Sequence, residues 1–231
     1  MFWIDYWYVV LVLPAIILAL VVQIKMSSTY SKYSKVYNRS GVTAEEAARR
    51  ILNANGLYDV AIERVSGNLT DHYDPRTNTV RLSDSVYGSN SIAAVGVAAH
   101  EVGHAIQHAR DYFPMKVRSA IIPATNLGAG ISPFLIIIGF IFMSDPLIIA
   151  GIVLYSLTAV FQLVTLPVEF NASRRALDTL DNYGILERDE LPQVRKVLGS
   201  AAMTYVASLL VSLMYVLRLV MIFGGGRRNR R

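Results

Sequence analysis

The chain has 231 residues, of which 53% are hydrophobic and 17% are charged, and its formal net charge is +5. This composition is too apolar for an ordinary soluble domain and is typical of an integral membrane protein, and no basic stretch is interleaved with aromatics, so we expect no nucleic-acid partner. The absence of cysteine excludes disulfides and thiolate metal sites, so any transition metal must be bound by histidine or carboxylate side chains.

Four uncharged segments approach or exceed the roughly 20 residues that a helix needs to cross the bilayer core. They are Tyr6 to Ile24, Ser119 to Ser144, Pro146 to Val168, and Val197 to Leu217. The second and third segments are separated by the single charge of Asp145 and predict a transmembrane hairpin. Arg218 follows the fourth segment directly, and its charge favours a helix that does not cross the membrane completely.

Basic residues after the first segment indicate its orientation. Lys25, Lys32, Lys35 and Arg39 follow that segment, and the positive-inside rule places this flank in the cytoplasm. The first five residues carry no positive side chain and no small-residue cleavage site follows, so we expect an uncleaved anchor with its N-terminus outside. Four complete spans would leave the four arginines of the last five residues outside, against the same rule. Either the fourth span is incomplete, which we favour, or the predicted orientation of the first helix is wrong.

A polar region between the first two apolar segments contains the signals of a helix. Thr43-Ala44-Glu45-Glu46 fits a capping box, which predicts a helix that runs to about Asn55 and stops at Gly56.

Strand-like runs follow from Tyr58 to Val65 and from Asn78 to Ser83, joined by the turn-rich stretch Asp71 to Thr77. A second helix is predicted from about Ser91 and is rich in small residues, which indicates close packing on several sides. As a hypothesis, the strand around Arg81 pairs with an extended substrate backbone as an added strand.

The second helix contains the motif His100-Glu101-Val102-Gly103-His104. Histidines at i and i+4 point the same way and can bind one metal ion, while the glutamate between them is free to handle protons. This is the pattern of zinc hydrolases, in which two imidazoles bind Zn²⁺ and the glutamate is the general base. The alternative is a chance match on a buried helix.

A catalytic zinc usually takes three protein ligands, so one ligand is missing from the motif. His108 lies about 12 Å from His100 along the helix axis, too far for one ion unless the helix breaks, and the default is a surface or supporting role. Glu169 is the better candidate, because ligands of one metal must lie on the same membrane face and two spans separate it from the motif. An interfacial residue paired with Arg174 or Arg175 is the alternative reading of Glu169.

The motif and its surroundings resemble the YugP-type neutral zinc metallopeptidases of bacterial membranes. The resemblance is carried by residues 71–77 (DHYDPRT), 80–83 (VRLS) and 98–107 (AAHEVGHAIQ) and covers nearly the whole chain. The segment at Glu169 is also similar to the Glu-x-x-x-Asp signature of membrane gluzincins.

The resemblance implies that His100, His104 and Glu169 bind one catalytic Zn²⁺ and that Glu101 is the catalytic acid/base. The aspartate of the gluzincin signature falls on Ser173 here, so Ser173 or Asn171 is expected to replace it in supporting a ligand histidine. The implied activity is that of a zinc metalloendopeptidase, gluzincin-like, which cleaves peptides or membrane proteins. A non-catalytic membrane scaffold with a structural or vestigial zinc site is the alternative.

We therefore predict a mainly α protein with integral membrane helices and a small α+β, zincin-like catalytic region. It is expected in the bacterial plasma membrane as a multi-pass protein in contact with the lipid bilayer, with its active site facing the cytoplasm. The predicted segments are an N-terminal anchor over 1–25, a polar α+β region with the zinc-binding helix over 26–118, a transmembrane hairpin over 119–168, a third-ligand helix region over 169–196, and a C-terminal apolar helix with a basic tail over 197–231.

Overall fold

The structure is a computed structural model that describes residues 5–224, so the basic tail predicted beyond Gly224 and the first four residues lie outside it. The helical elements are a π-helix at Tyr8–Val12, α1 at Leu13–Tyr33, α2 at Ala44–Ala54, α3 at Ile92–Ala109, α4 at Phe113–Ile141, α5 at Asp145–Asn182 and α6 at Leu191–Gly224. The strands are β1 at Ala61–Val65, β2 at His72–Asp74 and β3 at Thr79–Ser83. The predicted mainly α fold with a small α+β region is thereby confirmed.

The described chain forms two compact units. The first comprises residues 5–23, 117–166 and 203–224, and the second comprises 24–116 and 167–202. Four helices are long and apolar enough to cross a membrane, counted among the residues described. They are Tyr8–Tyr33, Phe113–Ile141, Asp145–Asn182 and Leu191–Gly224.

Within the first unit, α4 and α5 pack closely as the predicted hairpin. A Cβ atom added to Gly128 would lie 2.8 Å from the carbonyl oxygen of Leu154, and one added to Gly151 would lie 2.6 Å from Cγ1 of Ile136. Such approach is open only to glycine, and it is the usual way in which helices associate inside a bilayer.

In the same unit, Arg218 at the end of the fourth apolar segment has an acidic partner. Arg218 donates from Nε to the Oδ2 atom of Asp5 at 2.8 Å, and its guanidinium lies 5.5 Å from the centre of the Tyr8 ring. Helix α6 therefore returns to the end of the unit at which the first helix begins. Asp5 neutralises the charge that favoured an incomplete fourth span, so the pairing argues for a complete crossing, while the crossing itself stays a prediction.

In the second unit, the predicted capping box of α2 is confirmed. Thr43 Oγ1 accepts a hydrogen bond from the Glu46 amide at 3.2 Å, and Glu46 Oε2 accepts one from the Thr43 amide at 3.0 Å. The helix ends before Asn55, and Gly56 follows with a φ of +75°, the left-handed conformation that favours glycine at a helix end.

The three strands form one sheet in the order β1-β3-β2. Strand β1 runs parallel to β3, whereas β2 runs antiparallel to it and occupies part of the stretch predicted as a turn. Arg81 is aligned with Glu63 on one side and with His72 on the other. The hypothesis that this strand offers a free edge to a substrate is therefore wrong, because both of its neighbours come from the chain itself.

Helix α3 lies at the centre of the core of this unit. Fourteen of its 18 residues are buried, which agrees with the close packing predicted from its small side chains. Its apolar residues share one cluster with α2, β3 and the C-terminal half of α5, including Leu52, Leu82, Val102 and Leu180. A helix held on several sides is a rigid support for the motif histidines.

Candidate metal centre

The two motif histidines project from the same face of α3. The helix begins at Ser91, whose hydroxyl accepts a hydrogen bond from the Ala94 amide at 3.2 Å. The rings of His100 and His104 lie with their centres 4.8 Å apart and their planes at 85°. One helical turn therefore brings both imidazoles to one point, as the i, i+4 spacing predicts.

Helix α5 adds a carboxylate to this pair. The Oε2 atom of Glu169 lies 3.3 Å from Nε2 of His100 and 3.6 Å from Nε2 of His104. The Glu169 side chain is only 3% exposed. A buried carboxylate facing two imidazole nitrogens is the arrangement expected of the third ligand.

A glycine in the motif permits this meeting of helices. A Cβ atom on Gly103 would lie 2.7 Å from the carbonyl oxygen of Ala172 in α5. Any larger side chain at this position would push the backbone of α3 away from that of α5. The glycine between the two histidines therefore sets the distance between α3 and α5, and with it the distance from the imidazoles to Glu169.

The three side chains fit a zinc ion. Each offers one ligand atom, and these atoms all lie within 4.8 Å of one another. Zinc–nitrogen and zinc–oxygen bonds of about 2.0–2.1 Å in tetrahedral geometry require ligand atoms roughly 3.3 Å apart. The two distances to Glu169 match this requirement, and a nitrogen–nitrogen–oxygen donor set is one that zinc prefers.

In the metal-free site, electrostatic interactions favour a proton shared between Glu169 and the neighbouring imidazoles. Burial alone would raise the pKa of Glu169, but hydrogen bonds from His100 and His104 hold it well below its usual value. Burial likewise opposes the charged form of His104, yet the neighbouring carboxylates of Glu169 and Glu101 raise its pKa above the ordinary value. The carboxylate of Glu169 thus stays ionised beside the imidazole nitrogens, as a metal ligand must be.

Glu101 lies beside this cluster without belonging to it. It is 9% exposed, and its charge is felt by His104. Among the residues described, the group of potential ligands comprises His100, His104 and Glu169 alone. A carboxylate next to the ligands but outside their set is free to exchange protons.

The other two histidines lie outside the cluster. The Nδ1 atom of His108 is 3.0 Å from the hydroxyl of Tyr73, which donates to Asn78 at 2.8 Å, and burial raises the pKa of Tyr73 to about 12. His72 is exposed in β2, with Nδ1 2.8 Å from the carbonyl of Thr70. The position of His108 agrees with the surface or supporting role expected from the sequence.

Supporting contacts to the two motif histidines come from different residues. The Ser173 hydroxyl lies 3.1 Å from Nδ1 of His100, at the position predicted for it. Asn171 contacts neither imidazole directly and instead accepts a hydrogen bond from Gln107 at 3.0 Å. Gln107, whose Oε1 atom lies 3.0 Å from Nδ1 of His104, was not predicted. Its spacing of three residues from His104 on one helix was the signal that could have revealed it.

The chain matches a known protein family over nearly its whole length. The family described as "Putative neutral zinc metallopeptidase" matches residues 8–224. The chain belongs to this zinc metallopeptidase family. It is 50% identical over 220 residues to "Putative membrane protease YugP" of Bacillus subtilis (strain 168), a match that covers 95% of this chain and 98% of that protein. No solved structure matches. The motif histidines and Glu169 all lie inside the region shared with the zinc metallopeptidase family.

Proposed function

We propose that the chain is a membrane-embedded zinc metalloendopeptidase of the gluzincin type, with His100, His104 and Glu169 as the zinc ligands. The observation that carries this proposal is the convergence of two imidazole nitrogens and one buried carboxylate oxygen at zinc-ligand separations. Family membership and the name of the Bacillus subtilis relative support the same activity.

When bound, zinc supplies a Lewis acid that lowers the pKa of water towards neutrality and polarises a substrate carbonyl. His100, His104 and Glu169 would hold the ion, and three protein ligands are the number typical of a catalytic zinc site. Ser173 and Gln107 hold the two imidazoles from their far nitrogens, so that Nε2 of each ring faces Glu169.

Glu101 is the proposed general base and acid. It takes a proton from the attacking water and passes it to the nitrogen of the departing amine, which restores the carboxylate for the next cycle. Its place one residue after His100 keeps it near the reacting atoms, and its partial burial limits exchange of that proton with bulk water.

We further propose that the site lies on the cytoplasmic side of the bacterial plasma membrane and acts on membrane proteins or on peptides at the membrane. Lys25, Lys32, Lys35 and Arg39 follow the first apolar helix and favour the cytoplasm for the residues after it. Glu169 follows directly on an apolar segment, so substrates are expected to be cut close to the bilayer.

The test is proteolysis by the detergent-purified protein, compared with that of the variant Glu101→Gln. The wild type is expected to contain about one zinc per chain by elemental mass spectrometry and to cleave a model protein substrate such as casein. Glu101→Gln is expected to keep its zinc and to lose activity by roughly 10²- to 10⁴-fold, the usual contribution of a general base. Equal activity in both proteins, or no zinc in wild type after metal is added back, would remove the proposal in favour of a non-catalytic scaffold.

A further inference from the structure

Gln107 joins one motif histidine to the opposite helix. Its side chain is fully buried, and its Oε1 atom lies 3.0 Å from Nδ1 of His104, one turn earlier on α3. Its amide nitrogen donates to the backbone carbonyl of Val168 at 2.8 Å and to Oδ1 of Asn171 at 3.0 Å, both on α5. Every hydrogen-bonding atom of this side chain is therefore used.

The orientation of the Gln107 amide is determined by its partners on α5. The carbonyl of Val168 can only accept, so the NH₂ group and not the oxygen must face it. Asn171 must also present its oxygen, because the same Oδ1 atom accepts from Nε of Arg175 at 2.8 Å and a guanidinium can only donate. Two independent acceptors thus leave the Gln107 oxygen pointing at His104.

We propose that Gln107 is a positioning residue that fixes the tautomer of His104, with the proton on Nδ1 and Nε2 free to bind a metal. An oxygen opposite Nδ1 accepts only from a protonated nitrogen, and the second nitrogen of a neutral imidazole then carries the lone pair. The metal role of this tautomer rests on the proposed function above, whereas the hydrogen-bond assignment itself does not.

The two motif histidines differ in how firmly their tautomers are fixed. The Ser173 hydroxyl at Nδ1 of His100 can donate or accept, so it supports either tautomer of that ring. A carboxylate in place of the Gln107 amide would turn its second oxygen toward the carbonyl of Val168 and Oδ1 of Asn171, two acceptors. The two acceptors on α5 require a hydrogen-bond donor, which the amide supplies. A carboxylate, the commoner partner of a ligand histidine, does not supply one.

Zinc affinity of the full-length protein in detergent tests this role, measured by competition with a chromophoric chelator. Gln107→Met keeps the length of the side chain and removes its donors and acceptor, and Gln193→Met is the matched control on α6 of the same unit. We expect the dissociation constant for zinc to rise about 10- to 100-fold in Gln107→Met, the usual cost of removing a partner of a ligand histidine, and to stay unchanged in the control. A value within twofold of wild type in Gln107→Met would overturn the proposal.

Nitrogen-15 NMR of histidine-labelled wild type tests the tautomer without any variant, and the chain has only four histidines to assign. With zinc bound, His104 is expected to show a slowly exchanging proton on Nδ1 and a metal-shifted, unprotonated Nε2. A proton on Nε2 with the metal on Nδ1 would overturn the assignment. Zinc binding without peptidase activity would instead contradict the proposed function and leave the role of Gln107 intact.

Discussion

The Oε2 atom of Glu169 lies 3.3 Å from Nε2 of His100, although 69 residues separate them in the chain. Those residues include the whole of α4 and the apolar part of α5. The two side chains meet where Gly103 lets α3 and α5 approach closely, and the two apolar segments between them are the even number predicted to return the chain to one side of a membrane. Each of these causes can be tested separately.

Removal of Glu169 is expected to remove the metal. In Glu169→Ala the two imidazoles remain but the third ligand is lost, so we expect zinc affinity to fall by roughly 100-fold or more, exceeding the cost of losing a supporting contact. Zinc content by elemental mass spectrometry after dialysis against a mild chelator measures this. His108→Ala is the control, since His108 bonds to Tyr73 away from the cluster, and it should retain zinc. The reverse pattern would exclude Glu169 as a ligand.

Gly103→Ala is expected to separate the two helices that carry the ligands. Its Cβ atom would meet the Ala172 carbonyl at 2.7 Å, so the backbones must move apart. Overpacking of this kind costs about 1–3 kcal/mol, and we expect a lower unfolding temperature together with weaker zinc binding.

Gly199→Ala is the matched control for that change, because Gly199 also lies within a helix and has no heavy atom within 4 Å of an added Cβ. There the gain in helix propensity, about 1 kcal/mol, should leave stability equal or higher. Equal behaviour of the two variants would show that the contact with Ala172 does not set the spacing.

The metal-free protein is expected to be most stable at mildly acidic pH. The pKa of His104 is raised above 6.5, so its contribution is complete below that pH and is lost as pH rises through the folded-state value. The pKa of Glu169 is lowered below 4.5, so its contribution is present above that pH and is lost as pH falls through the folded-state value. Unfolding temperatures measured against pH in the presence of chelator should therefore decline above about pH 6.5 in wild type.

Glu169→Gln supplies the comparison, since it removes the charge that raises the pKa of His104. The difference in unfolding temperature between wild type and this variant should be largest between about pH 4.5 and 6.5. A difference that is constant across pH would contradict the proton-sharing arrangement. Because zinc must displace this proton, the apparent zinc affinity should fall as pH falls.

The ion pair between Asp5 and Arg218 predicts the topology of the ends of the chain. Since α6 returns to the end of its unit where the first helix begins, residues 40 and 231 should lie on opposite sides of the membrane. Reporter fusions at these two positions, with enzymes active only inside or only outside the cell, measure this directly. Reporters on the same side would show that α6 does not complete its crossing.

The sequence predicted those features that depend on residues close to one another in the chain. The capping box at Thr43 depends on residues three apart, and the histidines of α3 depend on one helical turn. The position of Glu169 was also predictable, because counting apolar segments needs only hydropathy and parity. The structure places these features where the sequence had suggested them.

Long-range pairing accounts for what was missed. The partners of Gln107 on α5 lie 61 and 64 residues away, so no local pattern reveals that its amide is fixed. Strand β3 is central because both β1 and β2 pair with it. The sequence did not reveal β2, because that strand is only three residues long and lies inside a turn-rich stretch. Arg218 was taken as an isolated charge because Asp5 lies 213 residues earlier.

The division of the ligands between α3 and α5 also has a consequence for biogenesis. A nascent chain that has produced both histidines still lacks Glu169, and the missing carboxylate arrives only after the intervening hairpin has been synthesised. A half-translated form would therefore hold no complete set of ligands. Under the proposed function, proteolysis therefore requires that the chain has been synthesised past its apolar hairpin.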